Sequence, residues 1–279
     1  MKVFTTIKAL RQYLSELKTL NNTIGFVPTM GALHKGHISL IKQAQQQNKI
    51  IVCSIFVNPS QFNDPKDLEK YPRTIIADIA LLEQVKCDVL FNPEVTEIYA
   101  ANEQWHLDLG QLEFLLEGKF RPGHYQGVTQ VVYKLFNIVK PDRAYFGQKD
   151  YQQFLIINKM VKMLNIPVKL VMCAIKRERE GLAMSSRNIH LSEDDRQHAL
   201  ILPDTLNWLK DNFDKRKILQ LQKEAKLMIN REPGVELEYL EITDGNTLNP
   251  ASGRSENIVA LIAARVGKTR LIDNVILKK

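Results

Sequence analysis

Apolar residues at Ile7, Leu10, Leu14, Leu17 and Leu20 fall three and four positions apart, the spacing that lines one face of an α-helix. Thr5 or Thr6 stands where its N-cap would be. Residues 23–27 are a short run of β-branched and aromatic character that meets Pro28, which reads as a buried strand ending there. From His37 to Gln47 the apolar positions Ile38, Leu40, Ile41 and Ala44 return to helical spacing. Residues 49–58, KIIVCSIFVN, are apolar without alternation, the mark of a strand covered on both faces of a parallel sheet. The rhythm then repeats. A helix is predicted over 75–85, a strand at CDVLFNP, a helix over 127–139, a strand at RAYFGQ, a helix over 151–164 and a strand at PVKLVMCAI.

Strand and helix in alternation predict an α/β fold, a Rossmann-like doubly wound parallel sheet, for residues 1–174. The pattern changes near residue 175. Residues 192–230 read as mostly helical, and ELEYLEITD, IVALIAARVG and TRLIDNVIL are strands separated by Gly and Asn turns. A smaller α+β domain over 175–279 is expected. No repeat of fixed period and no low-complexity segment is present.

The stretch GFVPTMGALHKGH, Gly25–His37, lies where the first predicted strand hands over to a helix. Open α/β sheets bind ligands beyond the carboxyl ends of their strands, and helix N-termini offer backbone N–H groups to phosphate. Gly31 and Gly36 permit close backbone approach, and His34 and His37 are three apart, so one helical turn puts them on one face. Imidazoles there can donate to a phosphate oxygen as charge builds up. The stretch is neither a GxxxxGK[ST] loop nor a GxGxxG fingerprint, and VGKT at 266–269 lacks the earlier glycine.

Composition narrows the setting. Hydrophobic residues make up 44% and charged residues 25%, an ordinary globular balance. The formal charge is +7, spread along the chain without a long Lys/Arg run. That permits a nucleic-acid surface but does not indicate one, and a site for anionic small molecules fits as well. Cys53, Cys87 and Cys173 form no CxxC pair and sit in apolar stretches, as buried thiols in a reducing compartment would. Lys8 and Arg11 interrupt any signal-peptide core, and the longest apolar run is far shorter than the ~18–20 residues of a membrane span. A cytoplasmic protein with neither membrane nor nucleic-acid partner is expected.

HxGH resembles the HIGH signature of nucleotidylyltransferases and class I aminoacyl-tRNA synthetases, and GLAMSSRN, Gly181–Asn188, resembles their KMSKS-type loop. PTMGALHKGH, SIFVNPSQF, YPRT, LEGKFRPGHYQGV, FGQKDYQQ, GLAMSSRN and TRLIDN, in this order, narrow the resemblance to the pantoate–β-alanine ligases. The resemblance implies condensation of pantoate with β-alanine to pantothenate. It would run in two steps through pantoyl adenylate, releasing pyrophosphate and then AMP, with Mg²⁺ accompanying ATP and a homodimer as the assembly. It implies that Met30, Gly31, Ala32, Leu33, His34, Lys35, Gly36 and His37 wrap ATP, together with Gly147, Gln148, Lys149, Asp150 and Lys176. Met184, Ser185, Ser186 and Arg187 would close over the triphosphate, within a flexible loop at 177–187. His34, His37, Lys149 and Arg187 would be the catalytic set; Asn58, Gln61, Tyr71 and Gln153 would hold pantoate and β-alanine; Asp78 would lie near Mg²⁺.

The roles suit the residue types. Adenylation builds charge on phosphoryl oxygens, so catalysis is mostly positioning and electrostatic stabilisation. The substrate carboxylate is the nucleophile, which agrees with the lack of a GxSxG elbow. Pantoate's hydroxyls and carboxylate suit amides, which both donate and accept. Arg121 and His124 read either as loop-ordering residues near the site or as a dimer contact. Three departures from the family pattern stand out: Gln148 replaces an acidic residue, Lys176 an apolar one, and Glu180 the usual Asp before Gly181. The rival readings are another adenylyl-transferring enzyme, which should lack YPRT and the Gln61/Gln153 pair, a basic nucleic-acid-binding module, and a nucleotide-sensing pseudoenzyme.

Overall fold

The computed structural model describes residues 1–101 and 103–278. The chain divides into two compact units, residues 1–147 with 152–174, and residues 148–151 with 175–279. Gln148–Tyr151, expected with the first domain, therefore groups with the second unit.

The first unit is built on six strands: β1 Lys2–Phe4, β2 Ile24–Thr29, β3 Ile50–Ile55, β4 Val89–Phe91, β5 Arg143–Gly147 and β6 Lys169–Cys173. They pair in the order β1-β4-β3-β2-β5-β6, and every pairing is parallel. From β2 the chain adds β3 and β4 on one side and later β5 and β6 on the other. The order thus reverses between β2 and β5, which makes their carboxyl ends a topological switch point, the preferred ligand site of such sheets.

Successive residues of each strand feed opposite faces. Phe26, Val52 and Phe91 pack with Val132, Phe136 and Ile156. Val27, Ile51, Cys53 and Leu90 pack with Ile41, Leu82 and Tyr145. Two cores on one sheet explain the unbroken apolar runs. Each fully buried Phe or Ile contributes about 1.5–3 kcal/mol relative to exposure.

The strand expected to end at Pro28 continues through it to Thr29. The ladder with β5 covers only Gly25 and Phe26, and at Pro28 the strand pairs with β3 alone. A residue without an N–H is tolerated where one side of the strand is open. β1 escaped the hydrophobic pattern because three residues at the sheet edge carry no periodicity. Thr6 caps helix Ile7–Thr19, accepting from the N–H of Ala9.

The second unit carries the antiparallel sheet β7 Val235–Asp244, β8 Ile258–Val266 and β9 Thr269–Lys278, in that order. Helices Ile201–Asn212 and Ile218–Asn230 lay Leu202, Leu206, Leu209, Leu221, Ala225 and Ile229 against Leu240, Ile242, Ala260 and Ile262. No helix among the described residues is long and apolar enough to cross a membrane.

All three cysteines are buried. Burial pushes the Cys87 thiol up to about 12 and the Cys173 thiol up to about 11, and it raises Cys53 too. Native protein should therefore resist thiol labelling near neutral pH and react fully in denaturant, as a chromogenic disulfide exchange assay would read. The native state disfavours the thiolate, so this contribution to stability is complete below the unfolded thiol value of about 8.5 and falls as pH rises beyond it.

Candidate active site

The turn after β2 depends on two successive left-handed residues, Gly31 at φ +84° and Ala32 at φ +48°. A Cβ at Gly31 would lie 3.0 Å from Ile55 and 3.1 Å from a carboxylate oxygen of Asp78, so glycine is required there. Asp78, on helix Ile75–Gln84 and 1% exposed, accepts from the N–H of Ala32 at 3.0 Å and of Leu33 at 2.7 Å. The Thr74 hydroxyl donates to the same carboxylate. Thr29 completes the turn, donating to Ser54 O and accepting from Gly31 N–H.

Helix Lys35–Gln45 begins two residues earlier than its apolar pattern predicts, with His34 as N-cap. The His34 Nδ1 accepts from Gly36 N–H at 3.1 Å, and the His37 Nδ1 accepts from His34 N–H at 3.3 Å. The ring centroids are 4.1 Å apart. Because each Nδ1 accepts, each neutral ring carries its proton on Nε2 and presents an N–H donor there. The helix start thus combines backbone donors, the positive dipole end and two imidazole N–H groups, an arrangement suited to an anion.

After β3, Asn58 caps the short helical turn Pro59–Gln61. Its Oδ1 accepts from Ser60 N–H and from the Tyr99 hydroxyl at 2.7 Å. Burial raises Tyr99, which keeps that hydroxyl protonated as a donor. Both Asn58 amide hydrogens are committed, to Gln61 Oε1 and to Gly127 O, each at 3.1 Å. Asn58, expected on a ligand, instead orients Gln61. The Gln61 amide also donates to Met30 Sδ at 3.0 Å, which joins this turn to the His34 loop.

Arg121 and His124 converge on the same turn. The imidazole Nδ1 lies 2.8 Å from Gln61 O, and the guanidinium reaches that carbonyl and His124 Nε2. One tautomer satisfies all three contacts: Nδ1–H donates to the carbonyl and Nε2 accepts from Arg121. Of the two readings the sequence left open, loop ordering matches these bonds. Gly127 was missed from sequence; helix His124–Val139 passes so close that a Cβ there would sit 2.2 Å from Ser60 O. Tyr71 is buried edge-on against Phe62. Gln153 is half-buried, whereas neighbouring Gln152 is buried with its amide bonded to Leu112 O, Leu115 O and Glu117 N–H.

In the second unit, Lys149 is 3.7 Å from the carboxylate of Asp150, on the side opposite in sequence to Gln148, where the family pattern has an acidic residue. Gly147 ends β5 in the first unit. Within and beside the loop expected at 177–187, residues 176–184 form a hairpin. Met184 N–H bonds Lys176 O, Glu178 N–H bonds Leu182 O, and Arg177 pairs with Ala183. Asn188 ties the hairpin to its exit through Glu178 and Ala183 O. The Ser185 hydroxyl caps the turn Ser186–His190 by accepting from Arg187 N–H, so the backbone of the MSSR segment is set locally. The exposed Lys176 is engaged here through its carbonyl.

A resident Mg²⁺ at Asp78 does not fit this donor set. Both oxygens face N–H and O–H donors, and among the described residues no three His, Cys, Asp or Glu side chains converge as a cage. Mg²⁺ needs several oxygen ligands in octahedral array.

The whole-chain comparison decides the family. The pantoate–β-alanine ligase family model matches residues 2–276. The chain belongs to that family. Pantothenate synthetases of Thermotoga petrophila and Aquifex aeolicus are 44% and 47% identical, covering 99% and 98% of this chain and 100% and 97% of theirs. The crystal structure of the Thermus thermophilus pantothenate synthetase superposes with a TM-score of 0.94 at 38% identity, over 100% of both chains. That of the Francisella tularensis pantoate–β-alanine ligase, complexed with β,γ-ATP and β-alanine, superposes with a TM-score of 0.83 at 37% identity, over 99% of this chain and 98% of that one. As a member of this family the chain is an enzyme, a ligase with a Rossmann-like first unit.

Two substitutions test the scaffold. Asp78→Ala leaves the buried Leu33 N–H and the part-buried Ala32 N–H without this acceptor, at up to about 1–3 kcal/mol for each orphaned donor. Gly127→Ala forces its helix from the Pro59–Gln61 turn, at about 1–3 kcal/mol. Urea denaturation should show both losses as lower midpoints with unchanged slope.

Proposed function

We propose that the enzyme condenses pantoate with β-alanine to pantothenate through an acyl adenylate. The observation that carries this reading is the His34/His37 pair, its rings 4.1 Å apart and tilted by 41° at a helix start beyond β2, with each Nδ1 accepting a backbone N–H and Nε2 left as the donor. Family membership supplies the substrates. A pantoate carboxylate oxygen attacks the α-phosphorus of ATP, the bond to the bridging oxygen breaks, and pyrophosphate leaves. The β-alanine amine then attacks the acyl carbon, loses a proton, and AMP departs with the former carboxylate oxygen.

In the first step charge grows on phosphoryl oxygens. His34 and His37 Nε2–H groups and the helix start are matched to it, and fixed donors of this kind are worth most where water is excluded. Gln61, held on its backbone by Arg121 and His124 and on its amide by Asn58, is suited to a polar substrate. Gln153 and Tyr71 complete the proposed substrate set. In the second unit the proposed phosphate-handling residues are Gln148, Lys149, Asp150, Lys176, Met184, Ser185, Ser186 and Arg187. ATP would enter as its Mg²⁺ complex, an ion that neutralises phosphate charge. A cytoplasmic homodimer is proposed as the working form.

Incubation with ATP, Mg²⁺ and pantoate should release pyrophosphate without β-alanine, and AMP with pantothenate should appear once β-alanine is added. No pyrophosphate in either condition would overturn the substrate assignment. His34→Asn keeps a good N-cap while removing the imidazole donor, so it should melt like the wild type and lose ~10²-fold in pyrophosphate release. Lys149→Ala should lose a similar factor. Gln153→Ala should raise KM for pantoate and leave ATP affinity nearly unchanged.

A further inference from the structure

Asp and Asn are depleted in strands, and buried polar groups call for partners. Yet Asp273 and Asn274 stand side by side in the middle of β9, 4% and 1% exposed. The Asn274 amide donates to Gln148 O at 2.9 Å and to Lys149 O at 3.0 Å, and its Oδ1 accepts from the Gln148 side-chain amide at 3.0 Å. Three bonds fix both the amide and the backbone on either side of Lys149. Asp273 in turn fixes Asn274. Its Oδ1 accepts from Asn274 N–H at 2.7 Å, while both oxygens pair with Arg177 at 2.6 and 3.1 Å. Arg177 also donates to Gly181 O, so the same strand position braces the hairpin that runs into Met184–Arg187.

From this geometry we infer that Asn274 is a positioning residue for catalysis, oriented by Gln148 and acting through the backbone that carries Lys149. The inference rests on the phosphate-handling role proposed for Lys149. A lysine is a point charge on a flexible four-carbon stem, so its aim depends on where its own backbone is held. A misplacement of about 1 Å in such a group can cost ~10²-fold in rate. The glutamine that departs from the family pattern has a function in this arrangement. Its amide N–H meets Asn274 Oδ1 and keeps the asparagine NH₂ turned toward the two carbonyls. A carboxylate at 148 would offer an acceptor to that acceptor.

The test is a double-mutant cycle on pyrophosphate release from ATP and pantoate. Asn274→Ala should lower kcat ~10-fold or more with KM for pantoate within about two-fold of wild type. In a Lys149→Ala background the same substitution should cost less than about two-fold, because the group it aims is gone. Gln148→Met, at a half-buried position, is the variant that spares the β9 core. It should lower kcat ~3–10-fold and likewise lose its effect without Lys149. Multiplicative losses in the double mutants, or wild-type kcat in both single variants, would overturn the inference. Should wild-type enzyme release no pyrophosphate, the substrate reading fails instead. The same cycle is then read from ATP affinity by calorimetry, where additive effects of Asn274 and Lys149 count against positioning and non-additive effects support it.

Discussion

A single buried carboxylate sets the geometry on which the candidate site rests. Asp78 accepts the N–H groups of Ala32 and Leu33 and so stabilises a turn in which Ala32, with a side chain, adopts a left-handed conformation. An isolated alanine disfavours that conformation by roughly 1–2 kcal/mol. Charge-assisted bonds to backbone N–H groups contribute about 1.5–3 kcal/mol each, enough to reverse the preference. The turn brings His34 to the N-cap of the next helix, where its imidazole accepts the Gly36 N–H and the His37 imidazole accepts the His34 N–H.

Away from that turn the same device recurs with neutral groups. Buried amide side chains hold three of the segments read as functional: Asn58 bonds Gln61, Asn188 bonds Ala183 O before the MSSR segment, and Asn274 bonds the Lys149 carbonyl, while Gln152 ties its helix to residues 112–117. An amide donates twice and accepts twice, so one residue can tie a carbonyl, an N–H and another side chain together. Being uncharged, it also costs less to bury than a carboxylate or an ammonium. Each such side chain fixes local geometry without adding a charge to it.

The places where pattern reading went astray follow one logic. Asn58 and Gln61 occur in one motif, and spacing could not divide their roles; the accounting of amide hydrogens does, since Asn58 has none to offer a ligand. Asp78 looked like a candidate metal neighbour because an acidic residue followed YPRT, and only the fold shows two backbone donors against it. The family resemblance implies a flexible loop at 177–187, and only the fold shows the hairpin bridge and the Arg177–Asp273 pair within it. Gly127 and Asn274 lie within the motifs HYQGV and TRLIDN, but the reason for each residue is a contact far along the chain, with Ser60 and with Gln148.

By itself the sequence determined the alternation of strand and helix, the change of character near residue 175, the buried two-faced strands, and the HxGH motif at a strand-to-helix junction. These are properties of periodicity and local backbone preference, which neighbours in the chain decide. Its ordered motifs also carried the family. Tertiary structure alone decided the strand order that places the reversal at β2 and β5, the tautomers of His34, His37 and His124, and which polar residues support rather than bind. Those depend on which donors and acceptors meet across long sequence separations, where burial makes each unmatched group costly and leaves one arrangement satisfied.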